Sequence, residues 1–174
     1  MSKRATLISF VAAVLVQLLI LVAVPARKAI TLATGKKAVL KVQPVDPYSL
    51  LSGYYVTLGF DISAVGAFPP VQGLAEGGPC YAVIEEGPDG IWRPVELSRD
   101  FPKNLSENRL ALLGRLSYGQ IRYGIENFYI PETQREAIAD DLRKNPDKAR
   151  VEIRVDRAGN SALKRLIIED RVYE

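Results

Sequence analysis

Chemistry needs side chains that attack, exchange protons or hold a metal, and this 174-residue chain offers few of them. It has no histidine, which removes Ser-His-Asp triads, Cys-His dyads, imidazole-bearing zinc sites and a histidine pH switch. Its one cysteine, Cys80, closes no internal disulfide and opens an apolar run, where a small buried hydrophobe is the expected role. Carboxylates stand side by side at Glu85-Glu86 and Asp140-Asp141. Sequence neighbours diverge on a strand or a helix, so neither pair converges on one substrate. Gly35-Lys36-Lys37 sets a lysine after a glycine, yet Ile30 fills the place of a phosphate loop's upstream glycine and no Ser or Thr follows the lysine. These patterns call for no cofactor and no metal.

Serine with lysine is the one nucleophilic pairing left open. Pro47-Tyr48-Ser49-Leu50-Leu51-Ser52-Gly53 follows an N-terminal apolar segment, as does the nucleophile region of membrane signal peptidases. In those enzymes the nucleophilic serine stands three residues before the proline of a Pro-Thr-Leu-x-x-Gly-Asp run, and here that place is Pro44. No base is specified, Lys103 and Lys164 being merely present. A membrane-bound Ser/Lys hydrolase is therefore an alternative reading. A second alternative is a small barrel for a lipid or other apolar ligand, which needs an apolar cavity of at least about 300 Å³.

Arg115, Tyr118, Arg122, Tyr123, Phe128 and Tyr129 interleave basic and aromatic side chains, a mix that can stack on bases. The charge balance argues against nucleic acid. There are 23 basic and 20 acidic residues, and with Lys3 and Arg4 set aside at the N-terminal tip 21 basic face 20 acidic. A nucleic-acid binder carries a marked basic excess or stripe. Packing of the aromatics on a sheet with arginines at its rim is the plainer expectation, with Arg115, Arg122 and Tyr123 as candidate contacts to a protein partner.

The elements that position these residues begin with Ala5 to Val24, 20 residues without a charge. As a helix that run spans about 30 Å, the hydrocarbon thickness of a bilayer. Soluble helices are seldom apolar on every face for this length. The run exceeds the roughly 7 to 15 residues of a signal-peptide core, so a retained anchor is expected despite the small residues around Val24-Pro25-Ala26. Residues 1–26 read as the transmembrane anchor, with bilayer contact over 5–24. Residues 27–37 read as a linker, and residues 38–174 as one β-rich domain able to bury about two thirds of its unfolded surface. Lys3 and Arg4 favour a cytoplasmic N-terminus, whereas Arg27, Lys28, Lys36 and Lys37 argue the reverse. Long domains translocate largely regardless of charge, so the domain is expected outside the cytoplasm, in periplasm or lumen.

Within the domain, Ala38 to Val42 is a first strand. From Tyr54 to Ser63, Tyr54, Val56, Leu58, Phe60 and Ile62 alternate with Tyr55, Thr57, Gly59, Asp61 and Ser63, the period of a half-buried strand. Gly66, Pro69, Pro70, Gly73, Gly77, Gly78 and Pro79 make 64–79 a long loop. Three hairpins follow: Cys80–Glu86 with Ile91–Leu97 around Gly87-Pro88-Asp89-Gly90, Arg109–Leu116 with Gln120–Ile125 around Ser117-Tyr118-Gly119, and Val151–Val155 with Leu163–Ile168 around Asp156–Asn160. One helix is expected after Pro131, with Glu132 and Glu136 near its start and Arg143 and Lys144 near its end. Asn145-Pro146 stops it. Ile138 and Leu142 share its apolar face. The fold class is mainly β (α+β): an N-terminal helix, then an antiparallel sheet or barrel-like domain with one packed helix.

Val45-Asp46-Pro47-Tyr48-Ser49-Leu50-Leu51-Ser52-Gly53-Tyr54-Tyr55-Val56-Thr57-Leu58-Gly59-Phe60 resembles the motif region of the GDYXXLXY domain proteins, a bacterial family with an N-terminal membrane segment. Asp46, Pro47, Leu50, Gly53, Tyr55 and Leu58 match its pattern. So do Tyr81-Ala82-Val83, Pro88-Asp89-Gly90, Gly114-Arg115, Arg122-Tyr123-Gly124-Ile125-Glu126, Tyr129-Ile130-Pro131-Glu132 and Val151 to Asp156. Two positions depart: the Asp after the motif glycine is Tyr54, and the closing Tyr is Phe60. The shared apolar face of Tyr54, Leu58 and Phe60 favours packing, while Tyr55 falls on the more polar face and is a candidate contact. The resemblance brings no catalytic residue with it. The expectation is a single-pass membrane protein that works by contact rather than catalysis, meeting a membrane-protein or envelope partner through the Gly/Pro loop, Tyr55 and the arginine-bearing strands.

Overall fold

The uncharged run forms part of one helix, α1 (Lys3–Thr34), in the computed structural model, which describes residues 3–43, 51–52 and 55–174. Its 32 residues make it about 48 Å long. Leu7, Phe10, Leu19 and Leu21 are 63–71% exposed, so the domain does not cover its apolar surface. Pro25 lies inside α1, where the missing N–H removes one backbone bond, yet the helix continues to Thr34. The 27–37 linker is therefore mostly helical and joins the domain without a loop. Gly35 makes that junction possible: a Cβ there would stand 2.5 Å from the Thr31 carbonyl oxygen and 2.9 Å from the Val155 nitrogen.

Strand β1 (Lys36–Gln43) starts at once and buries Ala38, Leu40 and Val42 on one face. It is followed by β2 (Leu51–Ser52), β3 (Tyr55–Thr57) and β4 (Gly59–Phe60). The single strand expected over 54–63 is thus divided, breaking at Leu58 and ending in a 3₁₀ turn over Asp61–Ser63. The period of two still holds for burial, because Val56, Leu58, Phe60 and Ile62 are all buried. The break lets β4 pair with β1 while β3 turns to another partner. In the Gly/Pro segment a 3₁₀ turn spans Val65–Ala67 and Phe68 is buried, so this loop contributes to the core.

The three hairpins form as expected. β5 (Pro79–Glu86) pairs with β6 (Trp92–Ser98), and β7 (Arg109–Ser117) with β8 (Gln120–Arg122), which ends before Tyr123. The short β9 (Asn127–Tyr129) precedes α2 (Arg135–Lys144), whose first turn is displaced by a 3₁₀ segment over Glu132–Gln134. Ile138 and Leu142 of α2 are buried. β10 (Ala149–Val155) and β11 (Ser161–Ile168) form the last hairpin, with a bulge between Glu152 and Ile153, and β12 (Arg171–Tyr173) closes the chain.

Every strand pairing among the described residues is antiparallel. The sheets run β12-β11-β10-β1-β4, β6-β5-β7-β8 and β2-β3-β9 and enclose a single hydrophobic core. The expected class, mainly β with an N-terminal helix and one packed helix, is the observed one.

Candidate interaction surface

Two of the motif positions are cores of the packing. Leu58 and Phe60 are each 2% exposed, and the Leu58 N–H donates to the Glu126 carbonyl at 2.7 Å. A hydroxyl at Phe60 would need a partner inside this apolar cluster, so the phenylalanine suits its place. Asp46, Pro47, Leu50 and Gly53 lie outside the described residues, as do Tyr54 and Ser49. Tyr55 is half-buried opposite Tyr129 on β9, their ring centroids 5.9 Å apart at 58°, and Tyr129 is 71% exposed.

Arg115 and Arg122 are exposed and stand directly opposite each other across β7 and β8. Arg115 Nη1 donates to the Gly77 carbonyl at 2.7 Å, and the Gly77 N–H donates to the Leu116 carbonyl, which pins the Gly/Pro loop to the strand. Between them the turn Tyr118-Gly119 has φ of +50° and +73°, and the Tyr118 side chain is almost wholly in solvent. Arg122 also lines a cleft of about 390 Å³ together with Gln43, Thr57, Ser63 and Gln120. This cleft brings the motif strand β3 next to β8, and Leu58, Phe60 and Ile121 line it beside these polar groups.

Tyr123 corrects the sequence expectation. It is 6% exposed, its hydroxyl donates to the Ile62 carbonyl, and it offers no surface to a partner. Burial first, then the charges at Cys80 and Glu126, push its hydroxyl pKa far above the ordinary range. The signal was present: Ile121, Tyr123 and Ile125 are buried and alternate with Arg122, Gly124 and Glu126.

Among the described residues no hydrogen bond joins a serine to a lysine. The hydroxyls of Ser98 and Ser161 donate to the carbonyls of Asp100 and Tyr123, and the Lys164 amine lies 3.8 Å from Glu152. Cys80 is fully buried, which raises its thiol pKa.

Sequence reasoning missed two polar constellations. At the first, the Thr31 hydroxyl donates to Asp156 Oδ2 at 3.0 Å and the Lys28 amine to the Gly124 carbonyl at 3.4 Å, fastening the last turns of α1 to the domain. Burial raises the Asp156 pKa, but bonds from Asn160, Thr31 and Ala158 outweigh it and the net shift is downward. The second centres on Glu152, 1% exposed, with Arg165 Nη2 at 2.6 Å, Arg154 at 3.3 Å, Lys164 at 3.8 Å and Lys37 at 4.0 Å. Here too burial raises the pKa and the hydrogen bond and charge of Arg165 outweigh it, leaving it below the carboxylate's ordinary value. Neither could be read from spacing, because the first joins α1 to turns about 100 residues on and the second gathers side chains from three strands.

A helix long and apolar enough to cross a bilayer, joined without a loop to an antiparallel β domain, defines the class. The family model of the GDYXXLXY protein matches residues 17–166, and the chain belongs to that family. No curated protein and no solved structure matches it.

Proposed function

We propose that α1 anchors the chain in a bilayer as a single-pass membrane protein whose β domain binds a membrane-protein or envelope partner and catalyses no reaction. The observation that carries this reading is α1 itself: its apolar run is uncovered, while its last turns are bonded to the domain through Thr31 and Lys28. Exposed apolar surface of this extent marks a membrane or protein contact. The domain lies on the extracytoplasmic side, in keeping with the basic N-terminal tip. Tyr55, Tyr129, Tyr118, Arg115 and Arg122 supply the contact surface, continuous with the pinned Gly/Pro loop.

The test is affinity capture of the detergent-solubilised full chain, with intact mass measured in parallel. Reproducible recovery of one membrane or envelope partner, with a mass that includes residues 1–26, supports the reading. Recovery of none, or a mass beginning at Arg27, overturns it. A cysteine placed at Tyr118 reports topology: labelling by a membrane-impermeant maleimide in intact cells is expected, and labelling only after lysis reverses the assignment.

A further inference from the structure

The register of the five-stranded sheet places six cations on its outer face. Residues directly opposite on neighbouring strands share a face, and the face alternates along each strand. The rung nearest α1 pairs Lys37 with Arg154, and the third pairs Lys41 with Arg150, Arg150 with Ile167 and Ile167 with Val172 across four strands. Between them lies Glu152 opposite Arg165, with Lys164 at the bulge. At two residues per rung the patch is roughly 14 Å long, and four strands make it roughly 14 Å wide. Its cations answer only to Glu152 and Glu174 among the described residues, and neither Lys41 nor Arg150 is in an ion pair there. Since residues 25–174 are nearly neutral, this face holds positive charge that the rest of the domain offsets.

The patch is also apolar in part, because Val172 is 51% exposed and Ile167 half-buried beside the cations. Glu152 is spent inside it, gathering four cationic stems around one buried carboxylate. The patch adjoins the anchor: α1 packs against β10 and β11, and Arg154 Nη1 donates to the Gly35 carbonyl at 3.3 Å. Arg154 Nε is buried without a partner among the described residues. Thr34 lies about 12 Å along the helix beyond Ala26, and a headgroup layer takes up about 5 to 7 Å of that.

We infer that this face leans on the bilayer that α1 enters, with its lysines and arginines on the phosphates of anionic lipid headgroups and Ile167 and Val172 at the acyl boundary. The inference rests on the anchored reading above. Cations near an anionic surface each contribute attraction that fades within a Debye length, so the contact is sensitive to lipid charge and to salt.

The experiment uses the full chain in nanodiscs, after an alkaline wash has scored insertion; a chain that washes off overturns the anchor and this inference with it, whereas the outcomes below bear on the inference alone. Val172→Cys is labelled with a nitroxide, Cys80 being buried, and its accessibility to a water-soluble relaxation agent is measured. Phosphatidylcholine containing phosphatidylglycerol is expected to reduce accessibility about tenfold relative to phosphatidylcholine alone, with reversal at high salt. Lys41→Gln with Arg150→Gln, which leaves the Glu152 cluster intact, is expected to abolish the difference. Equal accessibility in both bilayers overturns the inference. So does protection by inorganic phosphate in phosphatidylcholine, which would mark a free-anion site, and so does protection only within a captured complex, which would give the face to a protein.

Discussion

At Arg115 and Arg122 two like charges face each other across a strand pair, an arrangement that costs roughly 0.2 to 1 kcal/mol. Arg122→Glu would replace repulsion by attraction. The variant is expected to raise the urea midpoint slightly while losing partner capture, and a fall in stability would show that the pair is not repulsive in the fold. Tyr118 gives a parallel case, because asparagine adopts a positive φ in a two-residue turn more readily than tyrosine. Tyr118→Asn is expected to stabilise by up to about 1 kcal/mol in thermal unfolding and to weaken capture. Glu152 runs the other way. Its folded pKa lies below the ordinary 4.5, so its contribution is present above that pH and is lost as pH falls through the folded value. Glu152→Gln is expected to cost about 1 to 3 kcal/mol at neutral pH, with the gap to the parent closing in urea titrations below pH 4.5. Residue types alone showed which chemistries were missing. They did not show that Glu152 would be buried, since its four cations come from β1, β10 and β11.

Elements were legible where their period ran for several residues. β1, the hairpins and the buried side of 54–63 all follow alternation, and Asn145-Pro146 stops α2 as its chemistry requires. β9 and β12 escaped because three residues are too few for a period to show. The division of 54–63 is set by competition for partners, β1 for one half and β9 for the other, which no local pattern encodes. The junction after α1 reads in the sequence as a connection between anchor and domain; in the fold it is mostly helix, and Gly35 serves close packing. Gly35→Ala is expected to destabilise by about 1 to 3 kcal/mol and to speed hydrogen exchange over residues 28–34, since the added methyl meets backbone on two sides. Unchanged exchange would show that the helix end can yield.

For the whole molecule, helix and domain share stabilising bonds, so the cut between them is not neutral. A chain beginning at Arg27 keeps Thr31 and Lys28 on the domain, and one beginning at Lys36 loses both. The shorter chain is expected to be less stable by about 1 to 2 kcal/mol in denaturant melts, and equal midpoints would make the docking incidental. Neither the sheet order nor the shared core was legible in the sequence, because β1 pairs on one side with the nearby β4 and on the other with β10, over 100 residues on, a separation no motif measures.

The loopless passage from Thr34 through Gly35 into Lys36 has a mechanical consequence. A protein on a flexible tether searches a hemisphere above its membrane and meets partners in any attitude. Here a turn of the helix about its axis must carry the sheets with it, as a key carries its bit. In the anchored reading proposed above, torque and tilt would pass between bilayer and domain, and a partner gripping the arginine-bearing strands would hold the rotational setting of α1 as well.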